Sequence, residues 1–236
     1  MEGVIDTFFK TVKDYIFPVF CLGCKREGEW VCEKCFGSID FSGQFFCPVC
    51  HQEEKEGMVC TKCVGRSFIS KHVAIAKYQE NELIGHIIHT LKYQYAEDIL
   101  PMWKKIIETF FDQHKHLFSD FDLIVPVPLH KKRWAKRGFN QAEFIANFVG
   151  ENTGLKVLSY VLIRRVNTSH QAKLSREERL TNLVSAFFIK DPANIIGKKI
   201  VLVDDVFTTG STIQECAKSL MENGASEVVG FSIARG

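Results

Sequence analysis

What this chain lacks narrows it first. No apolar run in its 236 residues approaches the roughly 20 needed to cross a bilayer. The opening "MEGVIDTFFKTVKDYIF" is amphipathic and carries acids, so it lacks the basic-then-apolar order of a secretory leader. The formal net charge is only +2, which announces neither a nucleic-acid nor a membrane partner. Low-complexity segments are absent, and beyond a doubled cysteine module there are no internal repeats. The glycine pattern of a Walker loop is missing too, so ATP hydrolysis is not indicated. A cytoplasmic protein without membrane insertion is expected, and 46% hydrophobic residues allow a substantial core.

What is present is uneven. Residues 1–66 hold eight lysines and arginines against ten acids, so the excess of positive charge lies in 67–236. Eight of the nine cysteines form four Cys-x-x-Cys pairs: Cys21/Cys24, Cys32/Cys35, Cys47/Cys50 and Cys60/Cys63. In a reducing compartment such clusters bind metal more often than they form disulfides. One tight turn presents both sulfurs of a pair to a single ion, and two turns complete a tetrahedral four-cysteine site. Two structural Zn²⁺ sites are expected, with sequential pairing favoured and interleaved pairing left open. Closed four-thiolate sites leave no position for water, so this head is read as a scaffold. His51 is read as a surface residue, and the isolated Cys216 as a small core residue on a helix. Phe36, Phe41, Phe45 and Phe46 flank the second ribbon; they either present a docking surface or fill its small core.

After Gly65 the pattern changes. "HVAIAKYQ" (72–79) reads as a strand, and "NELIGHIIHTLKYQ" as a helix behind an asparagine cap. A second helical run covers about 96–118, with Pro101 as an early interruption. "FDLIVPVPL" (121–129) reads as a buried strand entering a basic turn, followed by a helix in "GFNQAEFIANFVGENTG". "VLSYVLIR" and "SAFFIK" read as strands, then "KKIVLVDDV" as the central strand, a helix over 211–224 and a last strand "SEVVGFSIAR". Strands alternating with helices predict an α/β domain whose parallel sheet is covered on both faces. The domain boundary is placed so that 1–66 holds an N-terminal helix and the cysteine module, and 67–236 the α/β domain.

The stretch "IVLVDDVFTTGST" (200–212) carries the sharpest chemistry. Residues 200–203 are expected to be strand and 204–212 the loop at its carboxyl end, where ligands bind in such sheets. A helix starting near Ser211 aims free N–H groups and its positive dipole end at the loop, which favours an anion. Thr208, Thr209, Ser211 and Thr212 add hydroxyls, and Gly210 lets the backbone come close. Asp204 and Asp205 suit sugar hydroxyls or the border of a magnesium site. Phosphate beside diol describes a ribose 5-phosphate.

This stretch resembles the phosphoribosyl-pyrophosphate signature of type I phosphoribosyltransferases. The resemblance implies a type I phosphoribosyltransferase-like (Rossmann-like) parallel sheet. It also implies Asp204 and Asp205 as catalytic residues holding the ribose hydroxyls, with Val206, Phe207 and Thr208 to Thr212 around the 5-phosphate. With "IVPVPLHKKRWAKRGFNQAEFIA", "TSHQAKLSREERLTNL" and "IFPVFCLGC", the chain is similar to the ComF/GntX family. These are zinc-ribbon phosphoribosyltransferase-like proteins associated with competence, the uptake of DNA in natural transformation. Implied ligands are Mg²⁺ with phosphoribosyl pyrophosphate; implied partners are a competence helicase or recombination protein.

Val127 to His130, with Arg133 nearby, are candidates for the pyrophosphate, and Arg164, Arg165, Lys173, Arg176 and Arg179 for a covering loop. The chain stops directly after its last strand, so an acceptor surface is expected from 68–120 or from the zinc head. The histidines His86, His89, His114 and His116 read as ordinary surface or packing residues. The segment 131–137 interleaves Lys131, Lys132, Arg133, Lys136 and Arg137 with Trp134, a pattern that suits single-stranded DNA. The competing reading makes it a charged pocket rim with Trp134 packed at a domain contact. The expected function is therefore DNA uptake, binding single-stranded DNA and Mg-phosphoribosyl pyrophosphate. The alternative is an active phosphoribosyltransferase of nucleotide metabolism or salvage.

Overall fold

Alternating apolar residues build the centre of this protein. The computed structural model describes residues 18–93, 97–164 and 187–236; the expected N-terminal helix and the basic stretch 165–180 lie outside them. In chain order the elements are α1 (Glu33–Phe36), β1 (Gln44–Phe45), β2 (His72–Lys77), α2 (Leu83–Tyr93), α3 (Leu100–Gln113) and β3 (Leu123–Pro126). There follow α4 (Lys131–Arg137), α5 (Gln141–Thr153), β4 (Lys156–Val157), β5 (Leu162–Arg164), β6 (Phe187–Ile189), β7 (Lys199–Phe207), α6 (Ser211–Glu222) and β8 (Glu227–Arg235).

Among the described residues one sheet has the order β1-β2-β8-β7-β3-β4. Every pairing from β2 to β4 is parallel, and β1 joins antiparallel. Strand residues alternate faces. Val201 and Val203 accordingly enter one apolar cluster with Ile106, Phe110, Ile145 and Val149 of α3 and α5. Ile200 and Leu202 enter the other, with Ile213, Cys216 and Leu220 of α6. Each fully buried side chain of this size stabilises the fold by about 1.5–3 kcal/mol.

Several expectations change. β7 does not stop at Val203: it continues to Phe207 because β8 keeps pairing with it, Asp204 opposite Ser232 and Phe207 opposite Arg235. The two acids therefore sit in a strand, not in a loop. "VLSYVLIR" is not one strand; a turn splits it into β4 and β5, and β5 pairs with β6 in a separate two-stranded sheet. Pro101 does not interrupt α3 but occupies its first turn, where a missing N–H costs nothing. The basic "turn" is a helix, α4, held between the His130 cap and left-handed Gly138. Cys216 is fully buried.

The cysteine head shares the core of the sheet. Val31, Phe36 and Phe41 belong to the cluster formed by α2, α3 and β8. Phe36 and Phe41 are thus buried, and Phe45 and Phe46 are half-buried. Neither expected role holds for Phe36, Phe41 and Phe45: they pack into the core shared with the body, while the second ribbon's own cluster is Cys47, Cys60 and Cys63 with Val49 and Val59.

Candidate functional site

The four knuckles converge in sequence order. Cys21, Cys24, Cys32 and Cys35 form one cluster, and Cys47, Cys50, Cys60 and Cys63 the other, with ligand atoms within 4.8 Å of one another in each. The sulfurs of Cys24 and Cys32, and those of Cys50 and Cys60, are 3.6 Å apart. A zinc tetrahedron with bonds of about 2.3 Å has edges of about 3.8 Å, so both clusters fit the ion.

Backbone N–H groups already favour thiolates. The Cys32 and Cys60 amides donate to Cys21 Sγ and Cys47 Sγ, at 3.3 and 3.5 Å. Burial would push both thiols up, but the knuckle amides outweigh it and hold Cys21 and Cys47 at about 6. Cys35 is pushed up to about 12, first by its hydrogen bond with Cys32; Cys63 also reaches about 12, first through burial. Metal binding must expel those protons, which makes it pH-dependent. The head carries two structural zinc sites. His51, next to Cys50, is no ligand; its Nδ1 accepts from the Arg235 guanidinium at 3.3 Å.

The second site is set by topology. From β3 the chain crosses through α5 to β4, and from β7 through α6 to β8, in opposite directions along the sheet. Neighbouring strands that diverge in this way open a crevice at their carboxyl ends. A cavity of about 610 Å³ lies there. Lys92, Asp204 and Asp205 line it, and so do Arg133, Arg137 and Arg164.

Alternation sends Asp204 towards α6 and Asp205 towards α2. Asp205 Oδ2 pairs with Lys92 Nζ at 2.7 Å, both side chains largely shielded. Asp204 Oδ1 accepts from the Asp205 amide at 2.8 Å. Desolvation and then the Asp205 charge push Asp204 up to about 7. Adjacent to it, Asp204 and Val206 to Ile213 line a concavity of about 40 Å³. Gly210 caps α6 with φ 73°, and the Thr209 and Ser211 hydroxyls are 2.9 Å apart. Thr208, Thr209 and Ser211 are exposed, and Thr212 also lines the larger cavity.

Val127 also lines the cavity, but its N–H already donates to the Val203 carbonyl at 2.8 Å. His130 is buried and serves α4: its Nδ1 accepts from the Lys132 amide at 3.2 Å. Burial, then the charge of Arg164, keeps that ring below the usual histidine range. Arg164 lies half-buried at the end of β5, its guanidinium 5.4 Å from the Phe187 ring centre. Lys131, Lys132 and Trp134 are exposed on α4; Trp134, at 55%, is not packed at a domain contact. Of Lys136 only the backbone is described, and Arg165, Lys173, Arg176 and Arg179 lie outside the described residues.

Sequence reasoning missed Lys92, Asn140 and Gln141. Asn140 Oδ1 caps α5 and its Nδ2 donates to the Val127 carbonyl at 3.0 Å, fixing the end of β3. A polar residue before the apolar run of α5 was the available signal. Nothing local marked Lys92, because only the packing of α2 brings it to β7. His86 and His114 are packing residues that join head to body, since their rings meet head carbonyls, Leu22 at 3.2 Å and Phe41 at 3.3 Å.

Among the described residues no helix is long and apolar enough to cross a membrane. The phosphoribosyl transferase domain family matches residues 97–234, and the double zinc ribbon domain family residues 12–64. The competence protein ComFC of Streptococcus pneumoniae is 31% identical, with 96% of this chain and 97% of that protein covered. ComFC of Bacillus subtilis is 28% identical over 89% of this chain and 86% of its own length. The DNA utilization protein YhgH of Salmonella typhimurium is 32% identical over 92% of this chain and 97% of its own.

Proposed function

This chain belongs to the ComF family of phosphoribosyltransferase-like proteins, and from that premise we propose that it binds Mg-phosphoribosyl pyrophosphate in the β3–β7 crevice and handles single-stranded DNA in DNA uptake. The observation that carries the first part is the two-signed cavity. Asp204 also lines the small hydroxyl-lined concavity, and Arg133, Arg137 and Arg164 line the same cavity as Asp204 and Asp205. A ribose 5-phosphate with a pyrophosphate at its other end needs that order: phosphate cradle, diol acceptors, then cations. Asp204 and Asp205 would accept from the ribose hydroxyls and border the magnesium ion. Thr208 to Thr212 would hold the 5-phosphate, and the arginines the pyrophosphate. In this reading the head is 1–66 and the body 67–236, and the protein acts in the cytoplasm.

The DNA part rests on α4, where exposed Lys131, Lys132 and Arg133 precede an exposed indole, Trp134, and Arg133 lines the crevice. Cations track phosphates while the ring stacks on a base. Competence and DNA utilization in the names of the relatives favour the same reading. Fluorescence anisotropy of a labelled single strand over a salt series tests it. Affinity should fall with salt, with a log–log slope of about −0.7 per phosphate contact. Trp134→Ala should weaken binding by about 1–3 kcal/mol. Weak binding that ignores salt would overturn this part.

One observation favours an active transferase as second reading: the crevice keeps acids, cradle and cations together, which DNA binding alone does not need. Pyrophosphate release that depends on one nucleobase and vanishes in Asp205→Asn would establish it.

A further inference from the structure

The phosphate loop rests on one aromatic ring. Phe207, the last residue of β7, is 1% exposed. A Cβ on Gly210 would come within 2.5 Å of its ring, so the left-handed glycine that caps α6 lies directly against the ring. His72 stacks on the same ring at a centroid distance of 3.9 Å, and the Arg235 guanidinium stands 4.8 Å from its centre. The Gly236 amide donates to the Phe207 carbonyl at 3.0 Å.

Arg235 itself is held by the second zinc ribbon. Only 5% exposed, it donates from Nη1 to the Phe46 carbonyl at 3.1 Å and from Nη2 to the Cys47 carbonyl at 3.0 Å. Its Nη2 also reaches His51 Nδ1. A guanidinium this buried is tolerated only when its N–H groups are satisfied. Here the acceptors are the Cys47 carbonyl of the Cys47–Cys50 knuckle and the two residues that flank it, Phe46 and His51, and the shape of that knuckle depends on its metal. Contacts thus run without a gap from zinc knuckle to guanidinium, to Phe207, to Gly210.

We infer that Arg235 is a positioning residue through which the second zinc ribbon holds the 208–212 loop in its binding shape. Its link to ligand affinity rests on the reading of that loop as the cradle of a 5-phosphate. Among the described residues the first ribbon does not share this route; it meets α2, where the Leu22 carbonyl lies 3.2 Å from His86 Nδ1.

Hydrogen exchange on the zinc-loaded full chain tests the inference, read on the segment 206–213 alongside zinc content and Mg-phosphoribosyl pyrophosphate affinity. Arg235→Gln should keep two zinc ions per chain, exchange that segment about tenfold faster and weaken the ligand about tenfold. Arg235→Lys, which keeps the charge but loses the fork, should fall between. Should Arg235→Gln fail to fold, Cys50→Ser serves instead: it should loosen 206–213, whereas Cys24→Ser should leave that segment unchanged. A folded, zinc-loaded Arg235→Gln with unchanged exchange overturns the inference, as does an equal response to both cysteine variants. If the segment loosens while the wild-type protein binds no phosphoribosyl pyrophosphate, the coupling stands and the ligand reading falls.

Discussion

The two zinc ribbons carry the same four ligands in the same paired spacing, and in both, knuckle N–H groups outweigh burial and lower the lead thiol, Cys21 or Cys47. Their attachments differ. The first lies against α2 and α3 through apolar side chains, the His86 contact and Lys105 above the Phe36 ring. The second is tied to the sheet by backbone: β1 pairs with β2, Met58 bridges Lys71, and the Val59 amide donates to the Ser70 carbonyl. Buried Arg235 completes that attachment. Identical metal chemistry can therefore have unequal consequences, decided by what the ribbon backbone is bonded to.

Removing one ligand from each site puts the greatest strain on this contrast between the ribbons. A structural zinc contributes about 10–16 kcal/mol to its ribbon. Cys63→Ser should lower the melting temperature of the whole chain more than Cys35→Ser, because loss of the second site also frees β1 and Arg235. Equal shifts in calorimetry would contradict it. Next in size, Arg235→Ala should cost about 3 kcal/mol in urea unfolding, the sum of charge-assisted bonds left without a donor.

Within the body, a pH titration separates stability from binding. Burial and the Asp205 charge push Asp204 up to about 7 in the folded chain, above the ordinary carboxylate range. Between those values the folded state binds the extra proton, so this residue's contribution to stability declines as pH rises through that window. Binding runs the other way. An ionised carboxylate accepts hydroxyl donors better, so affinity for Mg-phosphoribosyl pyrophosphate should rise about tenfold from about pH 6 to about pH 8. Asp204→Asn should flatten both trends. The smallest effect is expected at the first ribbon: His86→Ala should cost about 1 kcal/mol, the worth of one half-buried hydrogen bond.

These outcomes bear on what could be read from the residues alone. The cysteine spacing, the α/β alternation and the acid-then-hydroxyl stretch were legible because each is a local pattern. Whether the two acids close the strand or open a loop was not, since "KKIVLVDDV" ran the strand through them while the ligand argument ended it at Val203. Pairing with β8, which follows only after the whole of α6, decides for the strand. Lys92 escaped for a similar reason: its role is created by the packing that brings the end of α2 to Asp205 of β7. The basic segment was legible as charge but not as a helix, and His130 looked like a ligand residue until its ring proved to cap α4. Arg235 read as the polar end of a strand; only the folded head turns it into a buried tether.

Calorimetric titration of Mg-phosphoribosyl pyrophosphate into the full chain and into Asp204→Asn/Asp205→Asn, with zinc content verified in both, bears on the crevice without intermediaries. Saturable one-to-one binding by the wild type, weakened about a hundredfold or more in the double variant, is the predicted result. Absence of saturation in the wild type, or equal affinity in both proteins, would contradict the assignment of the crevice.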